Sequence, residues 1–388
     1  MIETKSSTVE SLQAQNLHEL SQRSSGPCIT ILLPPFRPAE HSKSKGAVLK
    51  ILLQDALRQL TANRVSEPVV RDLVTPLEQL AGDPELAGGS SSCRAIFRSP
   101  EALHQFELVE PVTAALMIGG CFQIRPILRE LVAPHYYVLE LTKKRVELVR
   151  ATGVRGEPVE LPQGIPVTLE AALSFKPPDH DLENRAAAGS GSGAMHGIRF
   201  GTGSARENEH TYLADFYKAV DRGIHELLHA ARPPLVLAGV QEDTALYRSI
   251  AAYPNLLEES VPGSHAGLEP ENGLLRQAFT IVRLDSIDQA AASLTESKER
   301  NAPARFSTDL DKILHAAIEG RIHRLYIDEN AQRIGRFKGQ KRGGRCDWGE
   351  EDLLNLAAVE TFRQGGAVFA LPGSKMPDHA VVAAVFRY

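Results

Sequence analysis

A long glycine-rich stretch directly before a long amphipathic helix is the feature that most constrains how this chain can fold. The stretch covers residues 186–205 and reads AAAGSGSGAMHGIRFGTGSA, and residues 206–231 follow it as a predicted helix. The apolar residues of that helix recur at helical spacing and are Leu213, Phe216, Tyr217, Val220, Ile224, Leu227 and Ala231. Because the sequence before the stretch is typical of a strand, we predict a glycine-rich loop at a strand-to-helix junction, on a helix that packs against a sheet.

The glycines of this loop allow backbone conformations that other residues avoid, and they let a partner approach the main chain closely. They are Gly189, Gly191, Gly193, Gly197, Gly201 and Gly203. Their spacing matches neither a dinucleotide-binding fingerprint nor a phosphate-binding loop. A loop that contacts a partner and a plain surface connection both fit the composition.

The overall composition is that of an ordinary soluble protein of two or three domains. The chain has 388 residues, of which 43% are hydrophobic and 23% are charged. Its formal net charge of -5 argues against attraction of nucleic acid over the whole surface. Any contact with RNA therefore requires a local basic patch.

Cysteine usage and the lack of long apolar runs predict a cytoplasmic location. The 4 cysteines form no C-x-x-C pair, which favours buried thiols in a reducing compartment over disulfides or a zinc ribbon. The N-terminus has no apolar signal-peptide core. The longest nearly apolar run, residues 112–122, is well short of the roughly 20 residues needed to cross a bilayer. We expect no membrane segment and no cofactor.

The order of predicted elements indicates three α/β domains, at residues 1–132, 133–233 and 234–388. The first has a buried strand at 28–33 and helices near 48–60 and 66–82. The second opens with a hairpin around Thr142-Lys143-Lys144 and contains the glycine-rich loop. In the third, the apolar run LVLAGV at 235–240 and the alternation of strands and helices predict a mainly parallel sheet in an α/β/α layered domain.

Short motifs of the last domain occur in the order found in the C-terminal domain of one protein family. They are Ala317-Ile318-Glu319-Gly320, Leu325-Tyr326-Ile327, Glu329-Asn330, Gly335-Arg336-Phe337, Glu360-Thr361-Phe362, Gly366-Ala367-Val368 and the closing Ala383-Ala384-Val385-Phe386-Arg387-Tyr388. This order resembles archaeal and eukaryotic class I peptide-chain release factors and their Pelota-like relatives, above all the bacterial relatives of that family. The resemblance implies a kink-turn ribosomal-protein-like fold for the last domain. The hairpin, glycine-rich loop and long helix of the middle domain are similar to the family's peptidyl-tRNA hydrolysis domain.

The resemblance implies that the glycine-rich loop is the functional tip of the middle domain. Its proposed working residues are Gly189, Gly191, Gly193, Met195 and Gly197. In the release factors this tip is Gly-Gly-Gln, which positions water against the peptidyl ester, whereas this chain contains no Gly-Gly-Gln and offers Ala194-Met195-His196-Gly197. His196 is therefore the candidate general base or water-positioning group, since imidazole suits that role near neutral pH. No Asn-Ile-Lys-Ser stop-codon motif occurs in the first domain.

A second candidate chemistry comes from His225-Glu226-Leu227-Leu228-His229, which is a formal H-E-x-x-H match. On a helix the two histidines lie one turn apart and can share a zinc ion, with the glutamate as general base. The apolar stripe passes through Ile224 and Leu227, so His225 and His229 are expected on the outer, solvated face. The zinc site and a plain exposed helix face are both open.

A basic segment in the last domain is the candidate RNA-binding site. It has six cations within thirteen residues and no intervening acid, namely Arg333, Arg336, Lys338, Lys341, Arg342 and Arg345. Such a segment neutralises phosphates, with salt-sensitive binding as its signature, or else it is a solvated loop. Phe337 and Trp348 nearby are either core residues or a stacking surface.

These observations predict a release-factor-like protein that associates with the ribosome, tRNA or rRNA, in translation termination or ribosome rescue. Ribosome-dependent peptidyl-tRNA hydrolysis stays an open question. The alternatives are a zinc-dependent hydrolase that uses His225, Glu226 and His229, and a non-catalytic interaction module. We expect no DNA and no membrane partner, and a protein partner of the C-terminal domain is a further hypothesis.

Overall fold

The computed structural model describes residues 10–11, 14–36, 44–87, 92–130, 135–175, 202–263, 273–300, 305–337 and 349–388. The chain divides into two compact units. Unit 1 combines residues 1–134 with 283–388, and unit 2 is residues 135–282. Within the described ranges, no helix combines the length and the apolar character needed to cross a bilayer.

The N-terminal part of unit 1 is a five-stranded sheet with helices. Its strands are β1 (Glu10–Ser11), β2 (Cys28–Leu33), β3 (Cys93–Arg98), β4 (Leu103–Leu108) and β5 (Ala115–Gly119). Its helices are α1 (Ala14–Leu20), α2 (Lys45–Ala62), α3 (Glu67–Ala81), α4 (Pro84–Ala87) and a 3₁₀ helix, Arg125–Glu130. The strand order is β1-β4-β3-β2-β5, with β1 and β4 parallel and the other pairs antiparallel.

Local chemistry explains the best-defined elements of this part. Every residue of β2 is buried, as its apolar sequence CITILL predicts. The helix α2 begins after Ser44, whose hydroxyl accepts a hydrogen bond from the backbone N–H of Ala47 at 3.2 Å. The helix α3 has Ser66 at its N-cap, proline in its first turn and Gly82 at its C-cap.

Unit 2 is built on a mixed sheet. Its elements are β6 (Tyr136–Leu141), β7 (Val146–Thr152), β8 (Arg155–Val159), α5 (Leu169–Phe175), α6 (Thr202–Leu228), β9 (Leu235–Gly239), α7 (Gln241–Ile250) and β10 (Leu256–Pro262). The strand order is β10-β9-β6-β7-β8, in which β10, β9 and β6 are parallel and the β6–β7–β8 meander is antiparallel. The predicted hairpin is confirmed, and β9 is buried along its whole length.

The C-terminal part of unit 1 is a four-stranded sheet between helices. The helix α8 (Leu274–Arg300) contains the boundary between the units. The following elements are β11 (Phe306–Ser307), α9 (Leu310–Ile318), β12 (Ile322–Asp328), β13 (Ile334–Gly335), β14 (Glu351–Asp352), α10 (Leu353–Arg363), β15 (Ala367–Leu371) and β16 (Val382–Phe386). Two further 3₁₀ helices, Gly373–Lys375 and Pro377–His379, lie between β15 and β16.

The predicted α/β/α layering of this part is confirmed by the alternation of side chains along β12. Leu325 and Ile327 belong to the core cluster that contains Leu314 of α9 and Leu354 of α10. Tyr326, between them, belongs to the cluster that contains residues of α8. Successive residues of a strand point to opposite faces, so helices cover both sides of the sheet.

Three expectations from the sequence need correction. The sheet is mixed rather than mainly parallel, because β16 runs antiparallel to β12 and only the β12–β15 pair of the described sheet is parallel. The last described element before the glycine-rich stretch is the helix α5 rather than a strand, since LEAALSF is rich in helix formers and the Thr168 hydroxyl accepts a hydrogen bond from Ala171 N–H at 3.1 Å. The sequence predicts a helical region over about residues 270–300 that is broken near Asp285, whereas the helix α8 is continuous through that residue.

The predicted boundary between residues 233 and 234 falls between two segments that share a sheet. The strand β9, assigned from the sequence to the last domain, pairs in parallel with β6 over five residue pairs, from Tyr137 with Leu235 to Leu141 with Gly239. A buried strand needs neighbours on both sides, and β6 and β10 supply them. The division into three domains otherwise stays a prediction.

Candidate functional site

The structure describes the flanks of both predicted functional loops. The residues Gly189, Gly191, Gly193, Met195, His196 and Gly197 lie outside the described residues. In the basic segment Arg333 and Arg336 are described, whereas Lys338, Lys341, Arg342 and Arg345 lie outside the described ranges. The site is therefore built from the segments that hold these two loops.

The segment that leads into the glycine-rich loop is tied to the β6–β7 turn. The backbone N–H of Leu169, at the start of α5, donates to the carbonyl oxygen of Lys144 at 2.9 Å. The N–H of Val146 donates to the carbonyl oxygen of Val167, also at 2.9 Å. These backbone bonds fix the start of α5 at the edge where β6 ends.

The helix that leaves the loop packs on the same sheet. The described apolar residues of α6 that are buried are Leu213, Phe216, Tyr217, Val220, Ile224 and Leu228. Gly223 faces Ile165, and a Cβ atom at that glycine would lie 2.8 Å from Ile165 Cγ1. The amphipathic prediction for this helix is confirmed with two exceptions: Leu227 is 39% exposed, and Ala231 is exposed and lies beyond the end of the helix.

Buried polar groups lock α6 to α7 and to the segment that follows α7. The Asp221 carboxylate accepts hydrogen bonds from the Tyr247 hydroxyl at 3.1 Å and from the Ala252 N–H at 2.8 Å. Burial, together with the neighbouring Asp221 carboxylate, raises the pKa of the Tyr247 hydroxyl well above its ordinary value. Asp243, in the first turn of α7, is also buried, and burial raises the pKa of its carboxyl group.

The structure places His225 and Glu226 on the exposed side of α6, as predicted, and His229 directly after the last residue of the helix. His225, Glu226 and His229 are all exposed, and the Nδ1 atom of His229 lies 2.7 Å from the Glu226 carbonyl oxygen. The His225 ring contacts the Tyr253 ring edge-on, with centroids 6.4 Å apart. Among the described residues, no group of three His, Cys, Asp or Glu side chains is placed to hold a metal ion. The geometry thus supplies two imidazoles and no described third ligand.

The first residues of the basic segment pair with residues that follow the segment, in a short two-stranded sheet. The strands β13 and β14 pair antiparallel, with Ile334 opposite Asp352 and Gly335 opposite Glu351. Arg333 and Arg336 lie just before and just after the first strand, and both are exposed. Phe337 is buried, and its ring centroid lies 5.2 Å from that of His315. Phe337 is therefore a core residue rather than an exposed stacking surface.

We call this two-stranded sheet the stem of the basic segment, and a buried ion pair holds it in place. The guanidinium group of Arg125 pairs with the Asp352 carboxylate and donates to the carbonyl oxygen of Ala331. The other carboxylate oxygen of Asp352 accepts hydrogen bonds from the N–H groups of Arg333 and Leu354, both at 3.2 Å. Asp352 therefore caps α10 and joins the start of the basic segment to Arg125.

Asn355 makes a second connection to the same part of the N-terminal region. Its Oδ1 atom accepts hydrogen bonds from Ile124 N–H at 2.8 Å and Arg125 N–H at 3.3 Å. Its Nδ2 atom donates to the Phe122 carbonyl oxygen at 2.9 Å. The sequence analysis did not single out Arg125, Asp352 or Asn355. A local signal existed only for Asp352, an N-cap residue directly before an apolar helix.

Comparison with known proteins bears on the middle of the chain first. Residues 135–321 match the model of bacterial archaeo-eukaryotic release factor family 3, and this match contains all of unit 2. None of the curated proteins matches the sequence.

Several solved structures are similar at low identity. The archaeal translation termination factor aRF1 is 14% identical, with 97% of this chain and 99% of that chain covered and a TM-score of 0.26. Archaeoglobus fulgidus Pelota is 13% identical over 77% of this chain and 80% of its own, with a TM-score of 0.35. S. cerevisiae Dom34 is 10% identical over 74% of each chain, with a TM-score of 0.32. The predicted resemblance to the bacterial relatives of the archaeal and eukaryotic release factors is confirmed over residues 135–321, the range that the family model matches.

Proposed function

We propose that this protein is a release-factor-like component that associates with the ribosome or with tRNA, in translation termination or ribosome rescue. The observation that carries the proposal is the family match across all of unit 2, the unit that contains the glycine-rich loop. Structures of similar proteins are described as a translation termination factor, as ribosome-bound Pelota with ABCE1, and as a termination-like factor in RNA quality control that interacts with Hbs1.

The glycine-rich loop is the proposed working tip. The nearest described elements on either side of it are held in place, α5 by backbone bonds to the β6–β7 turn and α6 by its buried apolar face. A fixed base lets the glycines between them approach a ribosomal or tRNA surface from a defined place on the sheet. Within this tip His196 is the proposed water-positioning residue, since no Gly-Gly-Gln occurs in the chain.

The basic segment is the proposed RNA anchor. Its six cations would neutralise phosphate groups, and its stem is held by Asp352 to the Arg125 guanidinium group. A rigid stem lowers the entropy lost when the cations are ordered against a ligand. Phosphate contacts of this kind position a protein on RNA without reading its sequence.

Cosedimentation with ribosomes tests the anchor. Charge reversal of Lys338, Lys341 and Arg342 should weaken binding strongly at low salt and weaken it less at high salt, where phosphate contacts contribute little. Charge reversal of three exposed cations of α2 and α3, Lys50, Arg58 and Arg71, is the matched control and should have little effect. Equal binding by the loop variant and the wild type at all salt concentrations would remove the basic segment from the proposal.

A non-catalytic role on the ribosome is the second candidate, favoured by the absence of Gly-Gly-Gln. Release of a labelled peptide from ribosome-bound peptidyl-tRNA separates the two roles. Catalysis predicts release by the wild type and its loss in His196→Ala. No release by the wild type, with ribosome binding intact, identifies the non-catalytic role. The zinc-hydrolase alternative stays a prediction, which metal analysis of the purified protein tests.

A further inference from the structure

The outer face of α6 carries a line of basic and imidazole side chains that neither the glycine-rich loop nor the basic segment accounts for. The line consists of Lys218, Arg222, His225 and His229, and all four are exposed. The spacing of four and three residues places Lys218, Arg222 and His225 on one side of α6, and His229 directly follows the last residue of the helix. From Lys218 to His229 the line is about 16 Å long, at 1.5 Å per residue. We call it the α6 basic stripe.

The position of this stripe is fixed by the opposite face of the helix. Phe216, Val220 and Ile224 are buried against the sheet of unit 2, and Asp221 is hydrogen-bonded to Tyr247 and to the backbone of Ala252. A helix held in this way cannot rotate to bury the stripe. The cations are therefore presented to solvent in a preorganised row, which reduces the ordering cost of binding.

Two acidic side chains, Asp215 and Glu226, lie beside the stripe, and both are exposed, so water screens their attraction to its cations. Asp215 lies 3.3 Å from the Lys218 ammonium group, but these side chains are 59% and 56% exposed, and an exposed pair of this kind stabilises by only about 0–1 kcal/mol. In the described part of the chain, the Arg222 side chain makes no hydrogen bond or ion pair. Two full positive charges can thus engage a ligand without breaking a buried interaction.

We propose that the α6 basic stripe binds the phosphate backbone of RNA, and this inference rests on the proposed ribosome- or tRNA-associated function. The proposal rests on charge complementarity, because a chain with a net charge of -5 can attract phosphate groups only through local clusters of cations. Lysine and arginine are the usual phosphate partners, and imidazole nitrogens can add hydrogen bonds to phosphate oxygens. The stripe lies on the helix that leaves the glycine-rich loop, so it extends the RNA contact of unit 2 beyond the loop itself.

The test is the salt dependence of RNA binding by the full-length chain, measured by fluorescence anisotropy with a labelled single-stranded RNA. Lys218→Ala with Arg222→Ala removes two phosphate contacts, and each contributes about -0.7 to the slope of log K against log salt. The slope should become shallower by about 1.4. The ratio of affinities at about 50 and 200 mM salt should then fall by about sevenfold. Alanine favours exposed helical positions, so the variant should melt with the wild type.

The matched control is Lys50→Ala with Arg58→Ala on α2. Both residues are exposed, and Arg58 has an aspartate three residues earlier, as Lys218 does. An unchanged slope in the α6 variant overturns the stripe proposal. An unchanged slope with weaker ribosome cosedimentation overturns it in favour of a protein partner. If the basic-segment variant Lys338→Ala with Lys341→Ala makes the slope of log K against log salt shallower while the α6 variant does not, the stripe proposal fails and the proposed function stands. No binding of RNA or ribosomes by the wild type defeats the proposed function itself.

Discussion

Removing one partner of the Arg125–Asp352 ion pair is expected to destabilise unit 1 severely. The two side chains are only 10% and 5% exposed, so a lone charge left at this site cannot be solvated by water. Breaking a buried pair by removing one partner costs about 3–5 kcal/mol. Arg125→Met should therefore lower the free energy of unfolding by that amount, and Asp352→Asn should do so as well.

The size of the effect should depend on which bonds of Asp352 survive. Asp352→Asn keeps a side-chain oxygen that can accept from Leu354 N–H, whereas Asp352→Ala also removes the N-cap of α10. Loss of an N-cap costs about 1 kcal/mol more. The double variant Arg125→Met with Asp352→Asn leaves no unpaired charge, so its loss should be smaller than the sum of the two single losses.

Urea unfolding followed by circular dichroism measures these differences. Arg71→Ala is the control, because Arg71 and its ion-pair partner Glu67 are 73% and 83% exposed. Loss of this exposed pair should lower the free energy of unfolding by no more than about 1 kcal/mol. The reasoning is refuted if Arg125→Met costs no more than Arg71→Ala, or if the double variant loses the full sum of the single variants.

Three further predictions concern acid groups and a glycine of unit 1. Burial favours a higher pKa for Glu101, but hydrogen bonds from Ser25 and two further serines lower the pKa to about 2. The folded protein should therefore lose stability as pH falls from about 4.5 to 2. Glu101→Gln should remove that part of the pH dependence of unfolding. Burial raises the pKa of Glu130 to about 7, so the stability of the folded protein should fall as pH rises from about 4.5 through 7. In Glu130→Gln the melting temperature should vary less with pH across that window. The same pH profile in the variant and the wild type would contradict this prediction. A Cβ atom at Gly366 would lie 2.9 Å from the Ile322 carbonyl oxygen, so Gly366→Ala should cost about 1–3 kcal/mol in urea unfolding, and a neutral result would contradict the packing.

Elements with a strong local signal were predictable from the sequence. The strands β2 and β9 are continuous apolar runs. The helix α3 is bounded by two residues typical of helix ends, Ser66 at its N-cap and Gly82 at its C-cap. The strand β10 was not predicted, because acidic residues interrupt its apolar pattern LLEESVP. The antiparallel direction of β16 could not be predicted from local patterns either, because tertiary packing rather than strand propensity determines its pairing with β12.

The candidate site was predictable only where its residues form a local pattern. The outer position of His225 and His229 followed from the apolar periodicity of α6 and is confirmed. The stem of the basic segment was not foreseen, because Arg125 and Asp352 are 227 residues apart in the sequence. Only the fold brings such residues together, and a single sequence carries no sign of the contact.

Ribosome cosedimentation of the purified full-length chain over a range of salt concentrations tests the central claim most directly. The account predicts that the chain pellets with ribosomes at low salt, and that increasing salt releases it in proportion to the phosphate contacts of the basic segment. A chain that stays in the supernatant at every salt concentration, while circular dichroism shows it folded, would contradict a release-factor-like association with the ribosome.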